Sequence, residues 1–374
     1  MKANPPAQIL RYGHPGTGYR HSVFCRSVAV LPATLPRRDD EARALPIYIR
    51  VMIMERATQV ARADALAIER AARALAQGQL VAFPTETVYG LGADAGNGEA
   101  VARLYEAKGR PSFNPLIAHV SDAVIARVMG EFDAAADALA AAFWPGPLTL
   151  VVRKRPGCPV ADLATAGLDS IALRVPEHPV ARTVLQTFGR AVVAPSANRS
   201  GHVSPTTAQH VLSDLGGRID LIIDGGPAPM GLESTIIACV DEPRLLRPGA
   251  LSRAEIERVV HVHDPPDASA DAEVLAPGQL ASHYAPRAAL RLDATNVETG
   301  EALLAFGEAP IPGAPVMALN LSQCGDLIEA AARLFSHLRT LDAYGSKSIA
   351  VMRIPEEGLG EAINDRLRRA ASPR

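Results

Sequence analysis

Helices and short β-branched runs take turns along this chain from Asp64 to Val240, a rhythm that leaves few architectures open. Leu66, Ile68, Ala72 and Leu75 fall on one helical face over 64–77, and Gly78 stops that helix. The pattern then predicts a strand over 80–83, a helix over 98–107, a strand over 116–120 and an Ala-rich helix over 133–143. Strands at 148–153, 170–176, 191–198, 221–226 and 234–240 follow, with helices at 179–188 and 205–215 between them. Hairpin-like neighbours among the later strands predict a mixed rather than a wholly parallel sheet.

This α/β domain is expected to span 56–262. Residues 263–287 are rich in Pro, Asp, Ala and Ser without apolar period, as in a linker. A second α/β unit is predicted over 288–374, with strands at 303–306, 316–320 and 348–354 and helices at 325–341 and 358–370. Its order reads as a small Rossmann-like layer, yet it contains no GxGxxG, so nothing supports a nucleotide there. A chain of 374 residues exceeds one ordinary core, in keeping with two domains.

The first ~50 residues differ in character. Eight Lys or Arg face three acids there, with scattered Pro and Gly and no sustained period. They lack the apolar core and cleavage site of a secretory signal. Residues 1–55 therefore read as an N-terminal extension, either disordered or the product of a misassigned start ahead of Met52 or Met54. No apolar run approaches the ~20 residues that span a bilayer, so no membrane role is expected. Cys25, Cys158, Cys239 and Cys324 are too widely spaced for a zinc site or a disulfide framework, which points to a reducing cytoplasm. A net charge of −2 argues against a whole-surface grip on nucleic acid but leaves room for a local basic groove.

Chemistry concentrates in Pro84 to His119. Its strand runs into a turn rich in hydroxyls and glycine, crosses a helix and emerges at Lys108-Gly109-Arg110-Pro111, followed by Asn114-Pro115. Two cations on a sharply bent backbone can be aimed at one polyanion. The chain has four lysines among 38 Lys plus Arg, so a lysine beside an arginine can supply a compact point charge where arginine supplies a planar fork. The bland alternative is a solvated basic turn, with exposed cations of little worth to stability. Thr85 and Thr87 leave a strand end, where open α/β sheets bind ligands, or merely shape a turn.

Ala194-Pro195-Ser196-Ala197-Asn198 and Ser204-Pro205 can place N–H, hydroxyl and amide groups around phosphate oxygens, or only cap the next helix. Arg174 ends a strand, where an inward guanidinium needs an anion. Ser234 and Arg247-Pro248-Gly249 are weak signals singly, and His119 interrupts an apolar strand as structural histidines commonly do. HExxH, GxSxG and Walker A sequences are absent, so no metal site is expected and a nucleotide would bind by another route.

Taken together, PTETVYGLG, KGRPSFNPLIAH, WPGPLTLV, APSANRSG, GLESTII and RPGA resemble the YrdC family in order and spacing. Ser282-His283-Tyr284-Ala285-Pro286 and the unit after it resemble the longer, two-domain threonylcarbamoyl-AMP synthases of that family. The resemblance covers residues ~60–374 and implies a YrdC-like twisted mixed sheet with helices, joined by a linker to a smaller Rossmann-like α/β domain. It also implies joining of L-threonine, bicarbonate or CO2 and ATP, with Mg2+, into threonylcarbamoyl-adenylate and pyrophosphate. Other proteins would then transfer the group to tRNA.

Carried over motif by motif, Thr87, His119, Arg174, Ala194 and Ser234 would bind L-threonine. Lys108 and Arg110 would be catalytic. Arg110, Asn114, Ser170, Ser196, Asn198, Ser204, Arg247 and Tyr284 would surround ATP. The linker would act as a lid. Two alternatives share the fold: an RNA-gripping module without chemistry, and a carbamoyl transferase of hydrogenase maturation, whose usual acylphosphatase and zinc-finger regions are missing here.

Overall fold

The computed structural model describes residues 57–264 and 284–372. The expected N-terminal extension, Cys25 and most of the expected linker, including Ser282 and His283, lie outside the described residues. The larger sheet runs in the order Gln59–Arg62, Leu221–Asp224, Val81–Pro84, Tyr89–Asp94, Val192–Val193, Ile117–His119, Ser170–Arg174, Leu148–Lys154, Thr235–Ala238 and Arg244–Arg247. The short strand Gly130–Glu131 pairs beside Leu148–Lys154. Ile117–His119 is parallel to Ser170–Arg174, which in turn is antiparallel to Leu148–Lys154, so the sheet is mixed as expected.

Alternation along Leu116 to Val120 fixes what each face carries. Leu116, Ala118 and Val120 enter the main core, together with helices Gly98–Lys108, Ala123–Met129, Ala134–Phe143 and Ala208–Leu215. Ile117 and His119 line a hollow outside that core. Helices Ala65–Ala76 and Pro179–Phe188 pack together in a separate cluster over Val81, Phe83 and Ile223.

Two sequence expectations need correction. The first helix buries Ala67, Ala71, Ala72, Ala74 and Leu75, while Leu66 is 74% exposed and Ile68 only half-buried. Small alanines let this helix lie close to Pro179–Phe188, and proximity outweighs the pull of larger side chains. Tyr89–Asp94, expected as a turn, is a buried strand antiparallel to Val81–Pro84. Gly90 and Gly92 had removed its β-branched signature.

In the second unit Ala289–Arg291, Ser348–Val351, Ala302–Ala305 and Ala318–Asn320 lie parallel in that order. Helices Leu327–Tyr344 and Gly360–Ala371 complete the layer. Its core reaches past its own elements to Val88, Val203 and Leu232 of the larger sheet region, with Tyr284 between them. Among the described residues, no helix is long and apolar enough to cross a membrane.

Candidate active site

The core that joins the two units surrounds a cavity of about 50 Å³, lined by Thr87, Arg110, His119, Arg174, Ala194, Ser196, Ser234, Arg247 and Tyr284, all expected from the sequence. Glu233, which was not expected, lines it too. Lys108, Asn114, Ser170, Asn198 and Ser204 stand behind this lining rather than in it.

Arg174, at the end of its strand, is buried. Its Nη1 donates to Thr87 Oγ1 at 3.0 Å, its Nε to the Gly146 carbonyl at 3.3 Å, and its Nη2 pairs with Glu86. The other Glu86 oxygen accepts the backbone N–H groups of Glu177 and His178 at 3.0 and 3.2 Å. Burial alone would raise the Glu86 carboxyl, but Arg174 and the backbone hydrogen bonds together outweigh it and hold that carboxyl below its ordinary range. Thr85 gives its hydroxyl proton to the Val88 carbonyl, so the 2.8 Å bond to Thr87 is donated by Thr87.

His119 is buried, and its Nδ1 lies 3.2 Å from the Ile117 carbonyl, which can only accept. Nδ1 therefore carries the proton and Nε2 is an acceptor. Burial and the nearby Arg174 charge push its pKa down to about 3, so the ring is neutral at physiological pH. Ser234 bonds Thr149 at 2.8 Å and receives Arg247 Nη2 at its carbonyl (2.8 Å) and hydroxyl (3.2 Å). A Cβ at Gly249 would stand 2.4–2.5 Å from the Glu233 and Thr235 backbone, so only glycine lets this turn bring Arg247 so close.

On the other side of the hollow, Gly109 ends helix Gly98–Lys108 at φ +61, a left-handed turn that redirects Arg110. Arg110 donates to the carbonyls of Asn114 (3.3 Å) and Pro115 (3.0 Å). Lys108 is buried, not the exposed cation the sequence suggested, because its Nζ donates to the carbonyls of Ser196 and, at 2.5 Å, Asn198. Burial, with a further push from Arg110, lowers its pKa well below the ordinary lysine value.

Asn198 donates to the carbonyls of Arg199 and His202, yet its Oδ1, like that of Asn114, is buried without a hydrogen-bond partner. Such orphaned acceptors are costly unless something outside the chain satisfies them. Parallel register, continued two residues back from Ile117 and Ala172, sets Ser170 beside Pro115. Ser170 thus lies at the Arg110–Asn114 end, far from Arg174. Ser204 donates to Glu233 at 2.5 Å. Tyr284 adopts φ +62, uncommon for a bulky side chain, and stacks on Phe335 with centroids 5.6 Å apart.

Glu86, Glu233 and Arg366 escaped the sequence reading. An acid beside the hydroxyl residues of each motif was the available signal for the first two. Arg366 lies 133 positions from its partner and gave none.

A mixed α/β sheet that carries cations and hydroxyls over one hollow, closed by a second parallel layer, defines a two-unit YrdC-type enzyme. The family model described as "Telomere recombination", shared by Sua5, YciO and YrdC, matches residues 73–249, and that of the threonylcarbamoyl-AMP synthase C-terminal domain matches 251–372. The chain is 40% identical to the threonylcarbamoyl-AMP synthase of Bacillus subtilis over 82% of this chain and 93% of that protein. It is 41% identical to the enzyme of the same name from Pyrococcus abyssi, over 82% and 94%. The crystal structure of P. abyssi Sua5 complexed with L-threonine superposes with a TM-score of 0.78 at 37% identity, covering 84% of this chain and 98% of that one. The chain belongs to the threonylcarbamoyl-AMP synthases, enzymes of the nucleotidyl-transfer type.

Proposed function

We propose that this site condenses L-threonine, CO2 or bicarbonate and ATP into threonylcarbamoyl-AMP, releasing pyrophosphate, and that the product feeds threonylcarbamoylation of tRNA by partner transferases. The observation that carries this reading is the meeting, around one small hollow, of an arginine fork and a set of cations. Arg174 spends three of its five N–H groups on Thr87, Gly146 and Glu86. One N–H then remains on each terminal nitrogen, the arrangement that two carboxylate oxygens accept. Thr87, Ser234 and the Nε2 acceptor of neutral His119 suit the hydroxyl and amine of L-threonine, with Ala194 forming the wall.

Arg110 and Arg247, backed by Lys108, suit the triphosphate. Ser196 and Tyr284 border the space for the rest of ATP, with Asn114, Ser170, Asn198 and Ser204 behind them, and the orphaned acceptors on Asn114 and Asn198 await donors. The free threonine amine adds to CO2 and loses a proton, forming a carbamate. A carbamate oxygen then attacks the α-phosphorus, and the bond to pyrophosphate breaks. No protein nucleophile is needed, so catalysis is positioning plus neutralisation of charge.

Mg2+ enters with ATP as substrate. Of the acids near the hollow, Glu86 is spent on Arg174 and Glu233 on Arg366, which leaves the phosphates themselves as metal ligands. A hollow of about 50 Å³ is well below the ~300 Å³ of a typical small-molecule pocket, so ATP enters only when Tyr284 and the unit behind it part from the sheet. Closure then excludes water from a product that hydrolyses readily. Ile256 and Val262 pack in the main core, which supports a catalytic domain of 56–262 with 263–287 as linker and 288–374 as cover. Free Cys158, Cys239 and Cys324 suit a reducing cytoplasm.

The test is incubation with ATP, bicarbonate and a panel of amino acids, followed by mass detection of AMP-linked products. A threonylcarbamoyl-AMP signal with threonine alone among them is the expected result. Binding of RNA with no such product would favour the non-catalytic alternative.

A further inference from the structure

The second unit does more than cover the hollow. Arg366, on helix Gly360–Ala371, is fully buried, and its charge is delivered into the wall of the site. Its Nε donates to Glu233 Oε2 at 2.9 Å, its Nη2 to the Pro248 carbonyl at 2.9 Å and its Nη1 to Asp365 at 2.5 Å. Its guanidinium carbon stands 5.1 Å from the centroid of the Tyr284 ring.

Glu233 is therefore a junction. One oxygen takes Arg366 and the other takes the Ser204 hydroxyl, and its charge also faces Arg247. Pro248, whose carbonyl Arg366 grips, is the residue after Arg247. A buried carboxylate that loses the cation bonded to it would protonate, draw in water or turn toward Arg247, and the positions of its neighbours would shift.

We propose that Arg366 is a positioning residue of the active site, supplied by the C-terminal unit. Acting through Glu233 and the Pro248 carbonyl, it holds Ser204 and Arg247 in the geometry that receives the nucleotide, so the ATP half of the hollow is complete only when this unit is docked. The inference rests on the reading that Ser204 and Arg247 serve ATP. In the threonine half, Glu86, Thr87 and Arg174 touch none of these groups and Ser234 alone meets them, through its bonds from Arg247, and this asymmetry makes the idea testable.

The experiment measures pyrophosphate release by the full chain as ATP and threonine are varied in turn, for Arg366→Met, Arg366→Lys, Glu233→Gln and the Glu233→Gln/Arg366→Met pair. Arg368→Gln, an exposed pair partner on the same helix, reports any general helix effect. Arg366→Met should raise the KM for ATP at least ~10-fold, the lower end for a lost charge-assisted bond. It should change the KM for threonine less than ~3-fold, a shift below ~0.7 kcal/mol.

Glu233→Gln should share the ATP defect, and the pair should be less impaired than the sum of the singles, because the methionine no longer strands a buried carboxylate. Arg366→Lys should recover part of the ATP affinity. Should Arg366→Met not fold, Arg366→Lys and Glu233→Gln carry the same ATP-against-threonine split. Loss of melting temperature with both KM values intact would overturn the proposal, as would equal effects on both substrates or strict additivity. Failure of the parent chain to release pyrophosphate would instead overturn the functional reading.

Discussion

Two buried arginine–carboxylate pairs flank the hollow, and they are built differently. Arg174 and Glu86 both belong to the larger sheet region, side chains 5% exposed, with backbone N–H groups of Glu177 and His178 completing the acid. Arg366 and Glu233 join two units of the chain. The first pair is present whenever the sheet is folded, whereas the second exists only when the second unit docks. In the proposed reaction, a site so arranged would hold the amino acid on a permanent fork while the nucleotide geometry waits for the second unit. Burying either pair costs desolvation, so its value lies in fixing geometry more than in net stability.

The largest effect should come between the pairs. Lys108→Ala removes the cation that holds the carbonyls of Ser196 and Asn198, and turnover should fall by ~100- to 1,000-fold, as when preorganised electrostatic stabilisation is lost. Because Lys108 is buried, thermal melts should also show a loss of stability, unlike the neutral outcome expected of an exposed cation. Arg174→Ala should raise the KM for threonine ~100-fold, two charge-assisted bonds' worth, with a much smaller change for ATP. Equal changes would erase the division between the two pairs.

Glu86→Gln keeps shape but removes charge, and calorimetric binding of threonine should weaken by ~10-fold as Arg174 loses its anchor.

Acidity sharpens the same contrast. Burial depresses the Lys108 pKa in the free enzyme, so kcat/KM for ATP should be flat below that depressed value and fall as pH rises through it. Lys108→Arg, which stays charged, should lose that fall.

The smallest effect concerns docking. Arg339 of the second unit pairs with Asp214 at 2.8 Å, and although burial opposes it, the Arg339 hydrogen bonds, with the His202 ring 3.9 Å away, hold the Asp214 pKa at about 2, below 3.8. Its folded value is depressed, so its stabilisation is complete above about 3.8 and disappears as pH falls toward 2. Asp214→Asn should flatten the acid limb of a melting-temperature profile, a change of a few degrees (~2 °C per kcal/mol).

What could be read beforehand follows the range of the interactions. Strands such as Ile117–His119 and Ser170–Arg174, and the residues that line the hollow, carried local signals: β-branched runs, a cation pair bent by glycine, hydroxyls at strand ends. Tyr89–Asp94 did not, because its glycines serve close packing across the sheet rather than strand propensity. The burial of Lys108 was illegible because its acceptors are carbonyls 88 and 90 positions away. Glu86 was visible only as the residue between two threonines, since its role depends on Arg174 across 88 positions. Arg366 had no local mark, and only the docked helix brings it to Glu233.

The proposed reaction requires one hollow to bring an amino acid and a triphosphate together. The direct measurement is pyrophosphate release by the full chain with ATP, threonine and bicarbonate, omitting each in turn. Release that needs all three, matched one-to-one by AMP-linked product, is the predicted result. Release that persists without threonine, or cleavage of ATP to ADP and phosphate, would contradict it.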